Sequence, residues 1–250
     1  DWSSDVCSSD LLSDPPVHAR GVPGDEPLMS RRALVIGAVL LVLVAIGGAA
    51  WYVFGGSQAE GPKLPSRASG TTGPATIDGA WTVRPNGSFV GYRISERFVG
   101  GLADVDAVGR TSAVTGGFRI GDARVTGLSI EADLTSLASD KAARDAYLAR
   151  NALETSTYPT ARFVVDAPIR LPGRPQGTQV ALTLDGRLTL HGVTRPFTIP
   201  VKARWSGPTI DVIGTAPITL ADFGISTPRT PVVTVTDRGS VEVQLVFVPR

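Results

Sequence analysis

Residues 182–205 read LTLDGRLTLHGVTRPFTIPVKARW, and the alternation in this stretch decides the fold. Leu182, Leu184, Leu188 and Leu190 fall on one face of an extended chain, while Thr183, Asp185, Arg187 and Thr189 fall on the other. After His191-Gly192 the pattern resumes with Phe197, Ile199, Val201, Ala203 and Trp205 against Thr198, Lys202 and Arg204. A period of two means one buried and one wet face, which antiparallel sheets have and parallel sheets mostly lack. His191-Gly192 is the tight corner between two long strands, and Gly186 suggests a bulge or barrel kink inside the first.

The pattern extends outward in both directions. Val241, Val243, Leu245 and Phe247 alternate in the last strand, and further strands are expected over 88–94, 124–133, 161–166 and 210–220. Gly- and Pro-bearing corners such as RPNG and SGP punctuate them. One segment, LASDKAARDAYLARNALETSTYP, breaks the pattern: Ser139 or Asp140 can cap a short helix with Ala143, Ala146, Tyr147 and Arg150 on one face. Arg144 and Asp145 within it are either a solvated helix face or an ion pair tying the helix to the barrel rim. Many strands with one helix predict a mainly β fold, a closed antiparallel barrel or a two-sheet sandwich.

Upstream of this domain, expected over 75–250, the organisation changes. Residues 57–74 are a Gly/Ser/Pro-rich linker. From Ala33 to Phe54 there is no charge, and about 22 residues at about 1.5 Å each span a bilayer core of about 30 Å. With Arg31 and Arg32 on one flank and Trp51, Tyr52 and Phe54 on the other, residues 29–56 are expected to be a transmembrane helix. That places the N-terminus in the cytoplasm and the barrel domain outside, on a single-pass cell-membrane protein. A cleaved signal peptide, cut near Gly48-Ala49-Ala50, is the alternative. Asp1–Leu11, written back as codons, resembles a sequencing-library adapter translated in frame, so 1–28 is expected to be an artefactual or disordered leader before Met29, the only methionine.

The residues argue against catalysis. The only cysteine, Cys7, sits in the leader, and His191 is the only histidine beyond it, so a Cys/His pair or a zinc set has too few members. There is no P-loop and no dinucleotide fingerprint, and Ala221–Ile225 (ADFGI) lacks every companion motif of a kinase. The charge is mildly basic and scattered, which does not indicate nucleic acid. No cofactor is expected.

Four runs in order then resemble a known family: Gly186–Pro196 (GRLTLHGVTRP), the helix with Arg144-Asp145 and Leu148, Tyr158-Pro159 leading to Phe163, and Asp222–Ile225. Over about 80–248 the chain resembles the YceI-like family of bacterial lipid-binding proteins. The resemblance implies a lipocalin-like β-barrel, no enzymatic activity, and an apolar pocket for a polyisoprenoid or other long-chain amphiphile. Carried over by position, it implies a pocket lined by Phe89, Tyr92 and Ile94 on the opening strands and by Phe163 and Val165 after the Tyr158-Pro159 corner. Leu188, Leu190, Phe197 and Ile199 follow on the central hairpin, then Phe223, Leu245 and Phe247. Each can equally be plain barrel core, and a ligand-free structural or interaction module at the cell envelope is the alternative function. Glu96 stands near the position where many family members carry histidine, and Leu220-Ala221 where many carry a basic residue, two departures at the positions on which the family's headgroup recognition would rest.

Overall fold

The computed structural model describes residues 41, 42, 44, 59–66, 76–98, 104–173, 177–227 and 233–250. The leader expected over 1–28 lies outside them, as does nearly all of the 29–56 segment. Among the described residues no helix is long and apolar enough to cross a membrane.

Twelve strands make one antiparallel sheet: β1 (Gly79–Val83), β2 (Phe89–Phe98), β3 (Asp104–Thr111), β4 (Val114–Gly121), β5 (Arg124–Asp133), β6 (Ala138–Ser139), β7 (Thr160–Val164), β8 (Ile169–Arg170), β9 (Gln179–Leu190), β10 (Val193–Trp205), β11 (Ile210–Thr219) and β12 (Val233–Pro249). Several are two halves of one stave. β1 and β2 lie end to end along β12, with Trp81 opposite Pro249 and Phe89 opposite Gln244. β4 and β3 continue each other against that stave, and β7 and β8 against β5. Counted as staves, eight strands run in sequence order and close into a barrel where β12 meets β1. Closure pairs the edges, which an open sheet of this length would leave as templates for aggregation.

The central hairpin behaves as its pattern predicts. β9 and β10 pair without interruption from Leu190 opposite Val193 to Gln179 opposite Arg204. His191 and Gly192 both have positive φ, 50° and 73°, as a two-residue type I′ connection requires. Gly186 makes no bulge in that ladder. It is there because a Cβ would come within 2.4 Å of the Val164 carbonyl oxygen and 2.7 Å of the Phe163 ring.

The helix α1 (Ala142–Tyr147) runs directly into a single π turn over Leu148–Ala152. The expected side-chain cap is missing: Lys141 precedes the helix with no capping hydrogen bond. Instead the Asp145 carboxylate reaches back and accepts from the Ser139 N–H through both oxygens at 3.0 Å. A second short turn, Leu220–Phe223, ends at Gly224 with φ 71°.

The expected linker is only partly a linker. Residues 59–66 cross the outer wall of the barrel, where Arg93 Nη2 donates to the Ala59 carbonyl at 2.8 Å.

Candidate functional site

Alternation turns the apolar side chains of every stave inward, and they fill the two ends of the barrel differently. In one half the large cluster built on Trp81, Ile130, Leu184, Ile199 and Phe247 leaves a cavity at its centre. That cavity has a volume of about 160 Å³. Its walls are Val90, Phe118, Leu182, Val212 and their neighbours, and the only polar side chains among them are Thr178 and Trp205. The Trp205 indole N–H is already used, donating to the Gly207 carbonyl at 2.8 Å. The rim at Pro172, Gly173 and Thr178 is exposed.

The other half is plugged. Ala152 from the π turn, Phe223 and Ile225 from the second turn, and Leu188 and Ile218 from the staves form a separate cluster, packed by Tyr147, Leu148 and Leu190. Phe163 and Phe197 meet edge to face, ring centres 6.3 Å apart, and belong to both clusters, so they form the cavity floor and the plug ceiling together. His191 fastens the plug. Its ring lies 4.5 Å from that of Tyr158, and its Nδ1 is 3.2 Å from the Phe223 carbonyl.

Of the residues expected to line a pocket, Phe163, Leu188, Phe197, Ile199, Leu245 and Phe247 do so. Val165 belongs to the same core cluster without reaching the cavity. Leu190 and Phe223 are plug residues. Ile94 and Tyr92 share the inner face of β2 with Val90, but beyond the cavity wall. Phe89 is a correction: Val90, opposite Val243, takes the inward position, so Phe89 faces out, with the Arg110 guanidinium 4.2 Å from its ring centre. Phe118 and Ile120, both wall residues, went unrecognised because Gly116-Gly117 and a register shift before Arg119 break the alternation of β4.

Beneath the plug is a buried polar cluster. Arg144 and Glu96 are each 4% exposed, so the solvated-face reading of Arg144 is overturned. Arg144 Nη1 donates to Asp140 at 2.7 Å, and its Nε lies 3.8 Å from Glu96 Oε1. Burial raises the Glu96 carboxyl from 4.5 to about 7, opposed by Arg144 and reinforced by Asp140. Burial also pushes the Tyr92 phenol up. Among the described residues, Glu96 Oε2 and Tyr92 Oη have no hydrogen-bond partner.

The architecture has relatives. The family model described as YceI-like domain matches residues 81–247. A UPF0312 protein of Pseudomonas savastanoi pv. phaseolicola is 33% identical over 108 residues, 40% of this chain and 53% of that protein. One from Shewanella denitrificans is 31% identical over 127 residues, 47% of this chain and 63% of that protein. The chain thus matches between half and two thirds of the length of these curated relatives. Among solved structures, a polyisoprenoid binding domain from Saccharophagus degradans, implicated in plant cell wall breakdown, superposes with a TM-score of 0.55 at 17% identity, covering 68% of this chain and 98% of that one. Burkholderia cenocepacia BcnA superposes with a TM-score of 0.51 at 21% identity, covering 66% and 98%. At these identities the structural likeness establishes the fold.

Proposed function

The chain belongs to the YceI-like family, and from that premise we propose that it binds a polyisoprenoid or other long-chain amphiphile inside the barrel, without chemistry. The observation that carries this reading is the cavity itself: almost wholly apolar, floored by two phenylalanines, with no charged group in its wall among the described residues. Such a wall offers nothing to a polar metabolite, whereas each methylene it removes from water contributes about 0.8 kcal/mol. The name of the Saccharophagus degradans relative supports the same ligand class. The cavity, at about 160 Å³, is smaller than the usual range of about 300–1,000 Å³ for ligand sites, so part of a long chain fills it and the rest continues out past the Pro172–Thr178 rim.

The uncharged run 33–54 supports the further reading that the protein is anchored by a single pass in the cell membrane with the barrel outside. Two measurements test the proposal. Native mass spectrometry of the full chain, followed by lipid extraction, is expected to find a stoichiometric long-chain adduct. A bare mass, with apolar probes also failing to bind, would favour the ligand-free interaction module. Membrane fractionation with an alkaline wash is expected to leave the chain in the membrane pellet.

A further inference from the structure

On neighbouring staves β10, β11, β12, β2 and β3, alternation sends Arg204, Asp211, Glu242, Arg93 and Arg110 to the outer wall, the side an antiparallel barrel shows to water. Yet Asp211 is 1% exposed and Glu242 is 2% exposed. Glu242 is held between two arginines, at 2.7 Å from Arg93 Nε and 3.0 Å from Arg110 Nη2, and Arg93 also reaches Asp106 at 3.3 Å. A carboxylate this buried on a wet face needs a cover.

The cover is the segment Ala59–Ser66, AEGPKLPS. Its backbone is bonded to four of these five staves. Arg93 donates to the Ala59 carbonyl at 2.8 Å, and Arg110 to the Glu60 carbonyl. The Lys63 N–H donates to Gln244 Oε1 at 3.1 Å, and Arg204 donates to the Pro65 carbonyl. The dimensions agree: five staves are four spacings of about 4.8 Å, or about 19 Å, and eight extended residues reach about 23 Å. Pro62 and Pro65 favour the extended form and bring no N–H that the crossing would bury unpaired. A guanidinium has five donors and no acceptor, so arginines already holding acids can also grip carbonyls without reading side chains.

We propose that residues 59–66 are a strap built into the barrel wall, with Arg93, Arg110, Gln244 and Arg204 as its binding site. The chain before Ala59 therefore leaves the barrel at a fixed point on the β2–β3 wall. Resting on the anchored reading above, this shortens the tether after the apolar run from the Gly/Ser/Pro stretch as a whole to residues 55–58, which reach about 14 Å at most. A barrel so held receives its ligand in place and does not travel with it.

Limited trypsin digestion of the full chain in detergent tests the strap at the Lys63–Leu64 bond, because cleavage must wait for the segment to lift off. We expect cleavage there to be slowed about tenfold or more relative to the Pro62→Gly/Pro65→Gly variant, which leaves every barrel residue in place. Arg204→Gln is expected to speed it as well, with the melting temperature of the barrel checking that the fold survives. Equal rates at Lys63 in the wild type and both variants would overturn the strap. The readout is separable from the anchor: a protected Lys63 in a chain found in the soluble fraction keeps the strap and sinks the anchor, and the converse result does the opposite.

Discussion

The two halves of this barrel are built from the same staves with the same alternation, and they differ in what enters from the end. In the half rimmed by Pro172 and Thr178 nothing enters among the described residues, and inward Val, Leu, Ile and Phe side chains face an unfilled space. In the other half α1, the π turn and the 220–223 turn push Ala152, Phe223 and Ile225 between the staves and remove that space. Protein interiors pack to a density that leaves few voids, so the plug is ordinary core and the hollow half is the exception that calls for an occupant. The helix end also carries the charges Glu96, Arg144 and Asp140, while the hollow end carries none in its wall among the described residues. Under the proposed function, one half supplies rigidity and the other receives the ligand.

That contrast can be broken hardest at the plug. Leu190→Asp places an uncompensated carboxylate among Phe223, Leu188 and Val193, and is expected to prevent folding, seen as loss of the cooperative melting transition. Arg144→Met leaves the buried Glu96 and the exposed Asp140 without their cation and is expected to cost about 3–5 kcal/mol in urea unfolding. In the hollow half the expectation reverses: Ala203→Phe, in the cavity wall, should cost only about 1–3 kcal/mol while abolishing binding of an apolar fluorescent probe. A variant that lost stability and kept binding would place the ligand elsewhere.

The charged end sharpens the comparison through pH. The folded protein holds the Glu96 proton more tightly than the unfolded chain does, since its carboxyl is raised from 4.5 to about 7. Protonation therefore favours the fold: this contribution is full below pH 4.5, declines as pH rises toward about 7, and is constant above. The melting temperature of wild type minus that of Glu96→Gln should fall across that window. A flat difference would mean Glu96 is solvated. The smallest effect is expected at Thr189→Asp, one residue from Leu190 but on the outer face, which should stay within about 0.5 kcal/mol of wild type.

The sequence by itself determined the staves and the corner between β9 and β10. A period of two survives only if one face is buried, and a two-residue corner with positive φ accepts His191-Gly192 without strain elsewhere. It also determined half of the cavity wall, because inward parity in β9, β10 and β12 could be counted from unbroken alternation. Parity could not be counted past Gly116-Gly117 in β4, which hides Phe118, whereas Phe89, implied by the family resemblance alone, is out of parity with Tyr92 and Ile94 in an unbroken β2. Which inward residues line space and which are buried in plug was a tertiary decision. Leu188 and Leu190 are indistinguishable in the pattern, yet Leu188 reaches both the cavity wall and the plug while Leu190 packs against the plug alone. The burial of Glu96, Arg144 and Glu242 was decided the same way. Local chemistry predicts water around a charge, and only segments arriving from distant sequence, α1 in one case and residues 59–66 in the other, can take that water away.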